Sequence, residues 1–143
     1  MDYRHTQQAF LPLVLWIGFI AILGVLVRDE EWPSWIAVFV VAITAVMVVF
    51  SRLTVTVSNA AIITAFGAGW PRHTEDPADV VSAHAVRNRW IHGWGIRKIS
   101  GGWMYNVSGY DAIELTLTSG KKFRIGTDEP AKLEATLALL IRP

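Results

Sequence analysis

Residues 10–27 read Phe-Leu-Pro-Leu-Val-Leu-Trp-Ile-Gly-Phe-Ile-Ala-Ile-Leu-Gly-Val-Leu-Val, and residues 35–50 read Trp-Ile-Ala-Val-Phe-Val-Val-Ala-Ile-Thr-Ala-Val-Met-Val-Val-Phe. Neither run carries a charge. At about 1.5 Å of rise per residue, each helix spans most of a hydrocarbon core about 30 Å thick. Backbone amides in lipid must be bonded within their own segment, which makes such runs helical. The expectation is a transmembrane helical hairpin over 10–50, with helices at 10–27 and 33–50 and a loop at 28–32. A cleaved signal peptide fits less well, because Val27 is followed by Arg28-Asp29-Glu30-Glu31-Trp32 and no A-x-A site. A hairpin buried in a water-soluble core would show polar positions at helical spacing, and only Thr44 breaks the second run.

Charge gives the orientation. Arg28 is the only basic residue of the short loop, whereas Arg4 precedes the first helix and Arg52 follows the second. Basic residues favour the cytoplasmic side. The expectation is therefore a multi-pass protein of the bacterial plasma membrane, with residues 1–9 as a cytoplasmic segment and both termini cytoplasmic. Trp32 and Trp35 flank the loop as an aromatic belt would.

The whole chain has 143 residues and a net charge of +1, which hides an asymmetry. Residues 1–50 carry Arg4 and Arg28 against Asp2, Asp29, Glu30 and Glu31, while the remainder carries eleven basic residues against eight acids. That remainder is mildly basic and lacks a nucleic-acid signature. The absence of Cys excludes a disulfide framework, a thiolate nucleophile and a Cys-based metal site.

After Arg52 the pattern turns from continuous to alternating. Leu53–Val57 places Leu53, Val55 and Val57 on one face, and Ser58-Asn59 is a turn into a returning strand at 61–66. Gly67 to Pro71 breaks that strand. Further strands are expected over 79–89, around Arg97, and over 103–107, 112–118 and 122–125, the last two joined at Ser119-Gly120. The chain closes on a helix with Asp128 as N-cap and Pro130 in the first turn. Leu133, Leu137, Leu140 and Ile141 form its apolar face, while Lys132, Glu134 and Arg142 lie elsewhere. Seven short strands and one amphipathic helix make residues 51–143 an antiparallel α+β domain.

Two stretches carry a resemblance. One is Trp90-Ile-His-Gly-Trp-Gly-Ile-Arg97, and the other runs from Gly102 to Leu133 and ends in the Ile-Gly-Thr-Asp-x-Pro entry to the last helix. Over roughly 52–142 the chain resembles the bacterial pleckstrin-homology-like (PH-like) domains found behind one or two membrane helices. The resemblance implies a seven-stranded, partly open antiparallel β-barrel capped by the C-terminal α-helix. Many members of that family have no assigned activity. Eukaryotic relatives bind phosphoinositides through basic residues in the first hairpin loop, and Ser58-Asn59 offers none.

Arg87, Arg89, Arg97 and Lys98 cluster around the third and fourth strands, and Lys121, Lys122 and Arg124 form a second group. They could meet anionic headgroups, or simply form a solvated face paired with acids. Trp70, Trp90, Trp94 and Trp103 are dense for a domain of this size; they either pack the barrel or meet a partner. Gly93-x-Gly95 lacks the third glycine and the strand-to-helix setting of a nucleotide loop. His5, His73, His84 and His92 have no metal-ligand spacing, and no nucleophile elbow is present.

These observations point to a non-enzymatic docking module at the membrane, acting on a membrane-protein partner or on a second copy of itself. A lipid-headgroup-interacting structural protein, or an accessory subunit of a larger membrane complex, is the alternative. Beyond the bilayer and a homo-oligomer, no nucleic acid, no small-molecule substrate, no cofactor and no metal is expected. The candidate contact residues are Trp70, Arg87, Arg89, Trp94, Arg97 and Lys98.

Overall fold

The computed structural model describes residues 3–28 and 31–141. Asp2, Asp29, Glu30 and Arg142, which entered the charge and helix-face arguments above, lie outside the described residues. The protein is α+β, and the described residues form nine strands in two sheets and three α-helices. In chain order these are β1 (Tyr3–Gln8), α1 (Leu11–Leu26), α2 (Ser34–Val49), β2 (Arg52–Val57), β3 (Ile62–Phe66), β4 (Arg72–Glu75), β5 (Val80–Arg87), β6 (Gly95–Ile99), β7 (Gly102–Asn106), β8 (Asp111–Leu117), β9 (Lys122–Gly126) and α3 (Pro130–Leu140).

The first sheet runs β1-β2-β3-β4 and is antiparallel throughout. Its two edge strands read Tyr-Arg-His-Thr-Gln-Gln and Arg-His-Thr-Glu, with no apolar alternation, and so leave no strand signature in the sequence. The seven strands expected become nine because of these two edges. The second sheet runs β5-β8-β9-β7-β6, and its β7–β9 pair is parallel. The expected all-antiparallel seven-stranded barrel is therefore replaced by two sheets, one of them mixed. Gly102 starts β7 against Lys122, and a Cβ there would run into the Lys122 carbonyl.

Between the sheets lies one core, built from Val55, Val57, Ile62, Leu115, Phe123 and Ile125 among others. Leu133 and Leu137 of α3 are fully buried in it, and Leu140 and Ile141 pack at its margin. The expected apolar face is thus the face that α3 buries. Its cap differs from expectation. Glu129 occupies the N-cap without a side-chain bond, and its backbone N–H donates to Thr127 Oγ1 at 3.0 Å. Asp128 instead meets His5 Nε2 at 2.6 Å, tying β1 to the start of α3. Tyr3 donates to Glu129 at 3.3 Å in the same place. Burial, and then the nearby Glu129 charge, push the Tyr3 hydroxyl pKa up to about 12. Along the other side of α3, Glu134 accepts the backbone N–H of Ala85 at 2.9 Å, which satisfies part of the open edge of β5.

The helical hairpin is an insertion in a β-hairpin. Gln8 and Arg52 are register partners, so α1 and α2 both lie within the loop that joins β1 to β2. Each helix has 16 residues. That corresponds to about 24 Å, against the roughly 30 Å of a hydrocarbon core. α1 ends at Leu26, with Val27 as its cap, and α2 starts only after Pro33. The end of α2 is set by Phe50 and Ser51, which turn the chain into β2. No helix among the described residues is long and apolar enough to cross a membrane. The expected transmembrane hairpin is corrected on this ground. The multi-pass plasma-membrane location and its cytoplasmic-termini orientation rested on those crossings and fall with them.

Leu137 is fully buried between α3 and the second sheet. Leu137→Ala in the full chain is expected to cost about 2–5 kcal/mol in urea unfolding. A loss below about 0.5 kcal/mol would place α3 outside the cooperative core.

Candidate functional site

The root of the hairpin is fixed by short contacts. Ala9 N–H donates to the Ser51 carbonyl at 2.8 Å, and Ser51 Oγ donates to the Val48 carbonyl at 2.7 Å. Phe50 packs its ring on Phe66 at 4.7 Å between centroids. Leu53, Phe66 and Val107 form a second buried cluster there, with Ala9, Val49, Phe50 and Ile96 against it. Gly67 turns at φ +54°, with the Val49 carbonyl 3.1 Å from where a Cβ would sit, so the β3–β4 turn closes directly under α2.

Beyond this root the helices are apolar all round, and neither contains a buried residue. Among the described residues, a polar link joins the two helices. Trp16 Nε1 donates to Thr44 Oγ1 at 3.0 Å, and Thr44 in turn donates to the Val40 carbonyl at 2.7 Å. At the far end Trp32 Nε1 caps the Val27 carbonyl at 3.0 Å. An α-helix that is apolar all round belongs in an interior. Here it stands in the open.

The six sequence-derived candidates divide among separate places. Trp94 and Arg97 line a cleft of about 470 Å3 at the hairpin root, whose apolar wall includes Leu13, Val46, Met47 and Ile96. Arg97 Nε donates to the Trp94 carbonyl at 2.9 Å, which folds the guanidinium back over the 93–95 turn. Trp94 is half exposed, so it does not plug the space between the sheets. Around the corner Arg89 and Trp94 border a smaller cleft of about 260 Å3 with Asn88, Trp90 and Tyr110. Arg87 lies over the Tyr110 ring at 5.9 Å. Lys98 faces a third cleft, away from these, and Trp70 stands in the exposed β3–β4 turn and lines none of them. Tyr110, Leu13 and Met47 were not singled out from the sequence. Tyr110 follows a Gly turn like many surface tyrosines, and Leu13 and Met47 are indistinguishable from their apolar neighbours.

A partly buried charge network supports the 88–94 loop. Arg124 donates to Asn88 Oδ1 at 2.9 Å and to Glu114, and Lys122 donates to Glu114 at 2.7 Å. The backbone N–H of Asn88 bonds the Tyr110 carbonyl. In the second basic group, Lys122 and Arg124 are therefore structural, while Lys121 stands apart from the network. Burial by itself would raise the Glu114 pKa. The hydrogen bonds and charges of Lys122 and Arg124 outweigh it and hold the carboxyl below its ordinary value.

Among the described residues no three His, Asp or Glu side chains converge as a metal site would require. Compared with protein-family models, with curated proteins and with solved structures, the chain matches none.

A carboxyl held low in the folded state stabilises fully above its unfolded pKa, near 4.5, and loses that contribution as pH falls through the folded value. Stability measured by urea melts is expected to drop below about pH 4.5. Glu114→Gln should be less stable at pH 7 and show a shallower acid decline. An unchanged acid slope would remove Glu114 from the loop's support.

Proposed function

We propose that this chain is a non-catalytic self-association module. Its helical hairpin is the docking element, the two-sheet β-domain is the platform that holds it, and the occupant of the apolar surface is the hairpin of a second copy. One observation carries the reading: two uncharged helices, apolar on every side and without a buried residue, are fixed rigidly to a folded β-domain.

Three physical arguments favour a second copy. Monomeric proteins rarely leave contiguous apolar patches beyond a few hundred Å2 uncovered. Two helices about 24 Å long and about 10 Å across offer on the order of 1,000 Å2 outside their mutual contact, close to the ~800 Å2 per partner of a stable interface. The two helices themselves carry no charge that would demand a complementary partner, so an identical pair of helices meets them without leaving an ion unpaired, while Arg97 at the root stays bonded to the Trp94 carbonyl. Small residues ease the approach. Gly18 and Gly24 on α1 have open space within 4 Å of where a Cβ would stand. The docking surface continues from α1 and α2 onto Trp94 and Arg97, which share the root cleft with Leu13 and Met47.

Two differently tagged copies of the full chain, co-expressed and crosslinked, are expected to recover one another. Ile22→Glu and Val38→Glu each place a charge on an exposed helix position and should abolish recovery while the β-domain melts as before. No crosslink between copies, crosslinks to other proteins only, or recovery that ignores both charges would each overturn self-association.

A further inference from the structure

We infer that the open side of the sheet sandwich, between β4 and β6, is a binding site for a small planar aromatic anion of mononucleotide size. This site is separate from the hairpin and does not depend on the self-association reading.

Strand register builds it. Residues directly opposite on neighbouring strands share a face of the sheet. Leu115 pairs with Phe123, Phe123 with Trp103, and Trp103 with Lys98. That row begins in the buried core at Leu115 and Phe123 and ends at half-exposed Trp103 and exposed Lys98. From the opposite sheet His73 stacks on Phe123, with ring centroids 4.0 Å apart. The core therefore does not close at this side. It opens into a cleft of about 620 Å3, floored by the His73–Phe123 stack and bordered by Trp103. The volume is in the range of sites for small organic molecules.

The charges at the mouth select the ligand. Lys98, Lys121 and Lys122 stand against Glu75 and Asp79. Lys122 is bound to Glu114, and Glu75 is bound to His73 at 2.6 Å. Neither Lys98 nor Lys121 has an acidic partner among the described residues. Two unengaged ammonium groups thus face the cleft with one unengaged carboxylate, that of Asp79. An anionic group belongs at the lysines, through charge-assisted hydrogen bonds. A flat ring belongs against Trp103 and the His73–Phe123 floor, where stacked rings gain beyond their buried area. A ring amine or hydroxyl suits the Asp79 carboxylate. A ring, an acid group and a donor together describe a nucleoside monophosphate or an amino-substituted aromatic carboxylate.

The test is titration of the full chain with AMP, CMP, GMP and 4-aminobenzoate, read by calorimetry and by the indole N–H resonance of Trp103. That resonance is assigned by its loss in Trp103→Phe. At least one probe is expected to bind more tightly than about 1 mM, to shift the Trp103 signal, and to weaken as salt screens the lysines. Lys98→Gln and Lys121→Gln are exposed substitutions that should leave the melt unchanged, and each should weaken binding about tenfold. Adenosine, which lacks the anion, should bind at least tenfold more weakly than AMP. The inference is overturned if no probe binds, if adenosine binds as tightly as AMP, or if binding leaves the Trp103 signal or the two lysine variants unaffected.

Discussion

The pairing of β1 with β2 is the contact on which the molecule's layout depends. It brings Gln8 opposite Arg52 and so forces everything between them to leave and return at one point. Two antiparallel helices meet that requirement, since the second undoes the displacement of the first. The Ala9–Ser51 bond and the Phe50–Phe66 contact then fix the angle of departure. The same strand reaches the other end of the chain. His5 and Tyr3 meet Asp128 and Glu129 at the start of α3. Gln7 adds a third tie, donating to Ser108 at the β7–β8 turn. A strand of six residues thereby holds the hairpin, the second sheet and the last helix in one frame.

That frame separates two kinds of surface. The two helices of the hairpin are uncharged and apolar on all sides, and Trp94 and Arg97 stand at its root. The β4–β6 opening is mixed, with an aromatic floor and a charged mouth. The partly buried Glu114–Arg124–Asn88 network ties the sheet to the start of the 88–94 loop. Glu114 is paired with both Lys122 and Arg124, which takes two of the three residues of the second basic group out of the free surface charge.

Sequence reading reached the parts whose signals are periodic. The alternation at Leu53–Val57 and 112–118, the Ser119-Gly120 turn and the Leu133/Leu137 face all lie where the pattern put them. β1 and β4 were invisible because an edge strand of polar residues needs no apolar face; only pairing reveals it. The parallel insertion of β9 between β8 and β7 depends on long-range register, which no local pattern encodes. The hairpin was recognised as two helices, but its apolar runs were counted to their full length. Phe10, Val27 and Phe50, read as helix, serve as caps, and leave each arm 16 residues long. Of the candidate residues, Trp94 and Arg97 belong to different groups in the sequence, the tryptophans and the basic cluster, and only the fold brings them to one cleft. Lys98 faces the opposite cleft because adjacent residues of a strand point to opposite sides.

The place of the hairpin in the chain also governs how the fold can form. Joining β1 to β2 directly would require closing the loop 9–51, at an entropic cost that rises with the logarithm of its length. Helix formation within each arm is local and takes well under a millisecond, faster than long-range strand pairing. Once Trp16 meets Thr44 the two arms lie side by side, and Ala9 and Ser51 are delivered to each other. The inserted helices thus act as a template for the first sheet.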